Sequence, residues 1–108
     1  MFVEGSKREA EQVGEGIRRK LLAYEGSLML TENRFEKGAT GPAHSHPHEQ
    51  ISYVTQGSFT FTLGNEVRTI GAGDSLYVPG GVEHGTTALE DDSVLLDVFT
   101  PQREDFLP

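Results

Sequence analysis

Residues 51–64, ISYVTQGSFTFTLG, alternate apolar and polar side chains on either side of a glycine. A period of two places the apolar members on one face of an extended strand, a pattern that a helix of 3.6 residues per turn does not produce. Comparable stretches recur along the chain. GIRRKLLAY (16–24) and LMLTENRFEKG (28–38), separated by EGS, read as two antiparallel strands. GN and GAGD in the segment 64–74 read as hairpin turns. HGTTAL (84–89) and SVLLDVFT (93–100) complete the series, split by an acidic EDD. Thirteen glycines in 108 residues punctuate these segments at the spacing of an all-β sandwich or barrel. Residues 1–15 carry little apolar signal and are expected to form an N-terminal arm or edge segment, frayed or briefly helical.

The chain, residues 1–108, is expected to be a single domain, long enough for one core to stand without staples. It has no cysteine, which removes disulfides and thiolate-bound metals. A formal charge of −8 argues against nucleic acid, which needs a basic footprint. No run approaches the roughly 20 apolar residues that span a bilayer, and the charged first twenty residues do not resemble a signal peptide. The expectation is a soluble, cytoplasmic protein without a membrane partner. In so acidic a chain an anionic ligand requires a local positive site.

HSHPHEQ (44–50) gathers three of the four histidines. On an extended strand His44 and His46 point to the same side, whereas Pro47 starts a turn that leaves the direction of His48 open. His84 arrives almost forty residues later, behind the turn VPGG. Taken alone, the cluster fits a solvated loop or an incidental chelator as well as a site.

The full pattern resembles the cupin family. The first cupin motif, G-x5-H-x-H-x3-E-x6-G, matches Gly38, His44, His46, Gln50 and Gly57 at every spacing. The second, G-x5-P-x-G-x2-H-x3-N, matches Gly73, Pro79, Gly81 and His84. Fifteen residues, 58–72, lie between the motifs. The resemblance implies an all-β, single-domain cupin: a small jelly-roll barrel with six to eight strands per face, often a homodimer. It also implies one divalent transition metal ion (Ni, Zn, Fe or Mn) in the barrel mouth, held by His44, His46, Gln50 and His84. Two positions depart from the motifs. Ala88 replaces an asparagine of structural role, and Gln50 replaces the glutamate, with Glu49 expected on the opposite face. Three imidazoles and an amide leave a divalent ion its full charge. That favours Lewis-acid chemistry on a carboxylate over oxygen activation.

In the last strand Leu95, Asp97 and Phe99 share one face and Val94, Leu96 and Val98 the other. The aliphatic face is expected to be core. If the sheet is covered on both sides, as at a dimer interface, Asp97 points into the barrel, where burial raises its pKa. Otherwise it is an exposed aspartate. Arg103 either folds over the barrel mouth or pairs with Glu104 or Asp105. GEGIRRKLLAY, HSHPHEQISYV, AGDSLYVPGGVEHG and LLDVFTPQREDFL together resemble the KdgF-type pectin-degradation cupins, metal-bearing proteins that linearise 4,5-unsaturated uronates. That resemblance implies a small sugar-acid substrate, Gln50 in the metal site, Asp97 as the catalytic acid/base, and Phe99 and Arg103 as substrate-binding neighbours. Tyr53 and Tyr77 remain additional proton-donor candidates, Tyr77 being the more core-like. The alternatives are another metal-bearing cupin, either a dioxygenase or a non-catalytic sugar-binding protein.

Overall fold

The computed structural model describes all 108 residues. It contains ten strands and no α-helix: β1 Ala10–Gly14, β2 Ile17–Glu25, β3 Leu28–Phe35, β4 Thr40–His44, β5 Glu49–Gln56, β6 Ser58–Leu63, β7 Glu66–Gly71, β8 Ser75–Val78, β9 His84–Ala88 and β10 Ser93–Thr100. Two antiparallel sheets face each other, one ordered β1-β2-β3-β10-β5-β8 and the other β4-β9-β6-β7. The barrel is therefore narrower than six to eight strands on each face, because the second sheet has four. Pro42 sits in β4, an edge strand, where a missing N–H breaks no ladder.

Of the arm and the edge segment expected at the N-terminus, the structure has an edge segment. Residues Gly5–Lys7 form a single 3-10 turn, and Ala10–Gly14 add a sixth strand to the large sheet, with Glu11 beside Arg19. The strand is held by backbone pairing to β2 and by Arg18 Nη2 donating to the Ala10 carbonyl at 3.2 Å. Its own side chains bury little, so it left no periodic signal in the sequence.

Strand register sorts the inner face of the large sheet into transverse rows. Ile17, Phe35 and Ser93 form the first; Arg19, Asn33, Leu95 and Val54 the second. The third is Leu21, Thr31, Asp97, Ser52 and Leu76, and the fourth Met29, Phe99, Gln50 and Val78. The apolar core fills the first two rows against the small sheet, with Ile17, Phe35, Val54, Phe59, Phe61, Ala88 and Leu95 in one cluster. Phe35 and Phe59 meet edge to face at 5.2 Å. Ala88, at the motif's asparagine position, belongs to this core and pairs in register with Phe59. The third and fourth rows set the buried polar residues Thr31, Ser52 and Gln50, with Asp97, among apolar neighbours.

The outer face of the same sheet is less covered than expected. Val94 is buried, but Val98 is 38% exposed, and Ile51, Tyr53 and Tyr77 are 44–50% exposed. In register, Leu30, Val98, Ile51 and Tyr77 run side by side across four strands. Tyr77 is thus an outer-face residue and not core. Its hydroxyl donates to Glu49 at 2.6 Å, which places Glu49 on the expected outer face.

Candidate metal centre and cavity

Two loops build the mouth. β4 ends at His44, which lies opposite His84, the first residue of β9. His46 lies just past the end of β4, in the loop before β5. This loop is pinned to the Pro-Gly-Gly turn ahead of His84. Gly81, at φ +81°, donates its N–H to the His46 carbonyl at 2.8 Å. A Cβ on Gly80 would lie 2.4 Å from the Pro47 carbonyl oxygen, so only glycine permits this approach. The two motifs meet in space because of that turn.

The imidazoles of His44, His46 and His84 converge, with ring centroids 4.5–5.5 Å apart and one ligand atom from each within 4.8 Å of the others. All three use Nδ1 towards a backbone carbonyl: His44 to Pro42, His46 to His48 and His84 to Val82, at 2.9–3.1 Å. Carbonyls accept only, so Nδ1 carries the proton and each Nε2 presents a lone pair. His84 Nε2 is buried without any partner. His46 Nε2 lies 2.9 Å from Gln50 Oε1, two acceptors facing one another. Burial lowers the pKa of both His46 and His84, which favours the neutral rings. A cation satisfies every one of these groups, and the cluster is able to bind a metal ion. His48 is arranged differently: its Nε2 meets the Gln102 carbonyl at 3.1 Å, tying down the C-terminal segment.

Gln50 is buried, and its orientation is set from behind. Its Nε2 donates to Ser52 Oγ at 2.9 Å and to Asp97 Oδ1 at 3.3 Å, leaving Oε1 to face the histidines. Asp97 points into the barrel. It also accepts from Ser52 Oγ at 2.6 Å and, through Oδ2, from Asn33 Nδ2 at 3.1 Å. Burial pushes its pKa up to about 6, against the opposing pull of the Ser52 and Gln50 hydrogen bonds and, more weakly, of Arg103 and Arg19. Ser52 and Asn33 were not singled out in the sequence. Their signal is parity: each shares a strand face with buried apolar neighbours, Val54 and Phe35.

A cavity of about 270 Å³ opens from this centre, lined among others by Arg19, His44, Gln50, Asp97, Phe99 and Arg103. Phe99 lies edge-on to His46 at 5.8 Å and to Phe106 at 5.6 Å. Arg103 combines both expected placements. Its Nε and Nη2 donate to Asp105 at 3.1 and 2.9 Å, yet its side chain is only 12% exposed and lines the cavity. Its guanidinium lies 4.2 Å from the Phe106 ring centre. Phe106, like Arg19, is a cavity residue missed in the sequence. Tyr53 and Tyr77, on the outer face, lie outside the cavity. A larger recess, about 430 Å³ between β7 and β8, contains none of these groups.

Fold and site together define a cupin, and residues 32–99 match the family model described as Cupin domain. The chain belongs to the cupin family. It is 42% identical to the pectin degradation protein KdgF of Dickeya dadantii, over 90% of this chain and 89% of that one. The structure of KdgF from Halomonas sp. superposes with a TM-score of 0.95 at 39% identity, covering 99% and 98% of the two chains. The oxalate decarboxylase OxdC of Bacillus subtilis is 30% identical over 72% of this chain, which spans only 22% of that protein.

In protein stripped of metal by a chelator, the raised pKa of Asp97 has a stability consequence. Its folded pKa of about 6 exceeds the unfolded value of 3.8, so the folded state holds the extra proton between them. Stability then falls as pH rises through that window. Relative to wild type, Asp97→Asn is expected to gain on the order of 2–3 kcal/mol between pH 4 and pH 8. Urea titrations of both proteins at the two pH values measure this; a difference that does not change with pH contradicts it.

Proposed function

We propose that the protein is an isomerase-type enzyme that opens and ketonises 4,5-unsaturated uronate monosaccharides from pectin or alginate breakdown, giving linear keto acids. The observation that carries this reading is a buried carboxyl, Asp97, hydrogen-bonded to the amide whose oxygen meets His46, one of three converging imidazoles. The likeness to two KdgF proteins supports it. So does the cavity of about 270 Å³, which has room for one sugar ring.

His44, His46, His84 and Gln50 would hold a divalent ion, whose chemistry is Lewis-acid stabilisation of negative charge on the substrate's oxygens. The protein supplies the proton path. Ring opening breaks the C1–O5 bond of the cyclic hemiacetal. The C1 hydroxyl proton passes to the Asp97 carboxylate, C1 becomes an aldehyde, and O5 is left as an enolate on C5. Asp97 then returns the proton to C4, and C5 becomes the ketone. No proton is gained or lost overall. A carboxyl with a pKa of about 6 suits both halves of this exchange. Ser52 and Asn33 fix its two oxygens, so the acid does not rotate away between steps. Arg103 is held by Asp105 through two of its five N–H donors, and the remaining donors are available to the substrate carboxylate. Phe99 covers one side of the sugar.

The test follows the ultraviolet absorbance of an unsaturated uronate. The metal-loaded protein is expected to accelerate its loss over the spontaneous rate. Chelation or His84→Ala should abolish the acceleration. Asp97→Asn should retain metal and lose at least about a hundredfold in rate. An Asp97→Asn protein that turns over like wild type would remove Asp97 from the mechanism, and loss only with oxygen consumption would favour a dioxygenase.

The apolar row Leu30, Val98, Ile51 and Tyr77 is the surface on which we place a second copy of the chain. Light scattering should then give twice 11.8 kDa, reverting to the monomer mass in Ile51→Glu. A wild-type monomer at tens of micromolar would exclude the homodimer.

A further inference from the structure

One charge in the cavity has no partner. Arg19 stands on β2 in the inward row with Asn33 and Leu95, half-buried, between the apolar residues Ile17 and Leu21. Its guanidinium carbon lies 3.5 Å from the centre of the Phe106 ring. It takes part in none of the four salt bridges of the molecule, which use Lys7, Arg34, Arg68 and Arg103. Nor does its side chain make a hydrogen bond. Glu11, Asp97 and Asp105 act on it only through space, Arg103 opposes them, and burial lowers its pKa.

Arg103 spends Nε and Nη2 on Asp105, whereas the donors of Arg19 are all unspent. Stacking on Phe106 occupies a face of the guanidinium and leaves its in-plane N–H groups directed at something else. Such a planar fork, partly withdrawn from water and without a carboxylate of its own, is suited to a carboxylate ligand. Phe106 fixes the plane of the fork, and Phe106 in turn packs edge-on against Phe99, beside His46. The fork thus lies in the same cavity lining as His44, His84 and Gln50.

We propose that Arg19 is the residue that selects an anionic ligand in this cavity, its fork receiving the carboxylate of a hexuronate-sized sugar acid. This rests on the sugar-acid reading of the site. A carboxylate has about four acceptor positions, enough for Arg19, Arg103 and a cation together. The local cluster of positive charge also answers how an anion enters a chain of net charge −8.

Calorimetric titration of metal-loaded protein with D-galacturonate and with neutral D-galactose tests the assignment. Wild type is expected to prefer the acid. Arg19→Met, which keeps the apolar stem against Phe106, should weaken galacturonate binding at least about tenfold and change galactose binding less than about threefold. Arg19→Lys should recover part of the loss. With an unsaturated uronate, KM should rise about tenfold while kcat stays within about threefold. Unchanged galacturonate affinity in Arg19→Met overturns the proposal. Equal losses for both sugars overturn it too, because they assign Arg19 a role in supporting Phe106. Galacturonate binding that depends on Arg19, in a protein that does not accelerate uronate conversion, would refute the reaction and leave the anion site standing.

Discussion

The side-chain amide of Gln50 is the interaction on which the rest of the site depends. One group faces two directions: its oxygen towards the histidines, its nitrogen towards Ser52 and Asp97. A glutamate there would set a carboxylate oxygen against Asp97 where the amide nitrogen now sits at 3.3 Å, out of water. One of the two acids would then have to stay protonated. The amide avoids that conflict. It donates to Asp97 without carrying charge; burial raises the pKa of Asp97 to about 6 against this hydrogen bond, and the carboxyl remains hydrogen-bonded on both oxygens. The same orientation leaves Oε1 with no donor partner but a cation.

The fold delivers this arrangement through register. Gln50, Ser52 and Asp97 come from neighbouring strands β5 and β10, with Phe99 beside Gln50 and Asp97 beside Ser52. The histidines come from the facing sheet and the loop beyond it, brought together by His44 pairing with His84 and by the close approach of Gly80 to Pro47. A shift of one residue in β5 would turn Gln50 and Ser52 outward and present Ile51 to the cavity. Site geometry and strand pairing are therefore one constraint. Positive charge is added to the cavity by Arg19 and Arg103, both stacked on Phe106, in a protein of net charge −8.

Much of this was legible in the sequence where side-chain parity or motif spacing applied. Alternation in SFTFTL and the shared face of Leu95, Asp97 and Phe99 match the strands β6 and β10, and the two histidine motifs meet in one cluster. The same parity in IRRKLL singles out Arg19, since Ile17 and Leu21 face inward, but three consecutive cations obscure it. Strand β1 was not legible because it is held by backbone pairing, with side chains that bury little. Phe106 and the pairing of Arg103 with Asp105 lie beyond the last strand, in a 3-10 turn where no periodicity operates. The expectation of a buried Val94, Leu96 and Val98 face holds only at Val94, because a single copy of the chain leaves the outer face of the large sheet open.

The link between Gln50 and Asp97 is tested most directly by a double-mutant cycle in stability. The measurement uses chelated protein at pH 8, with Gln50→Glu introduced once into wild type and once into the Asp97→Asn variant. If the amide keeps two carboxylates from meeting, Gln50→Glu should cost about 1–3 kcal/mol in wild type and little in the Asp97→Asn background, where the substituted amide can donate to the new acid. Equal costs in the two backgrounds would contradict the account.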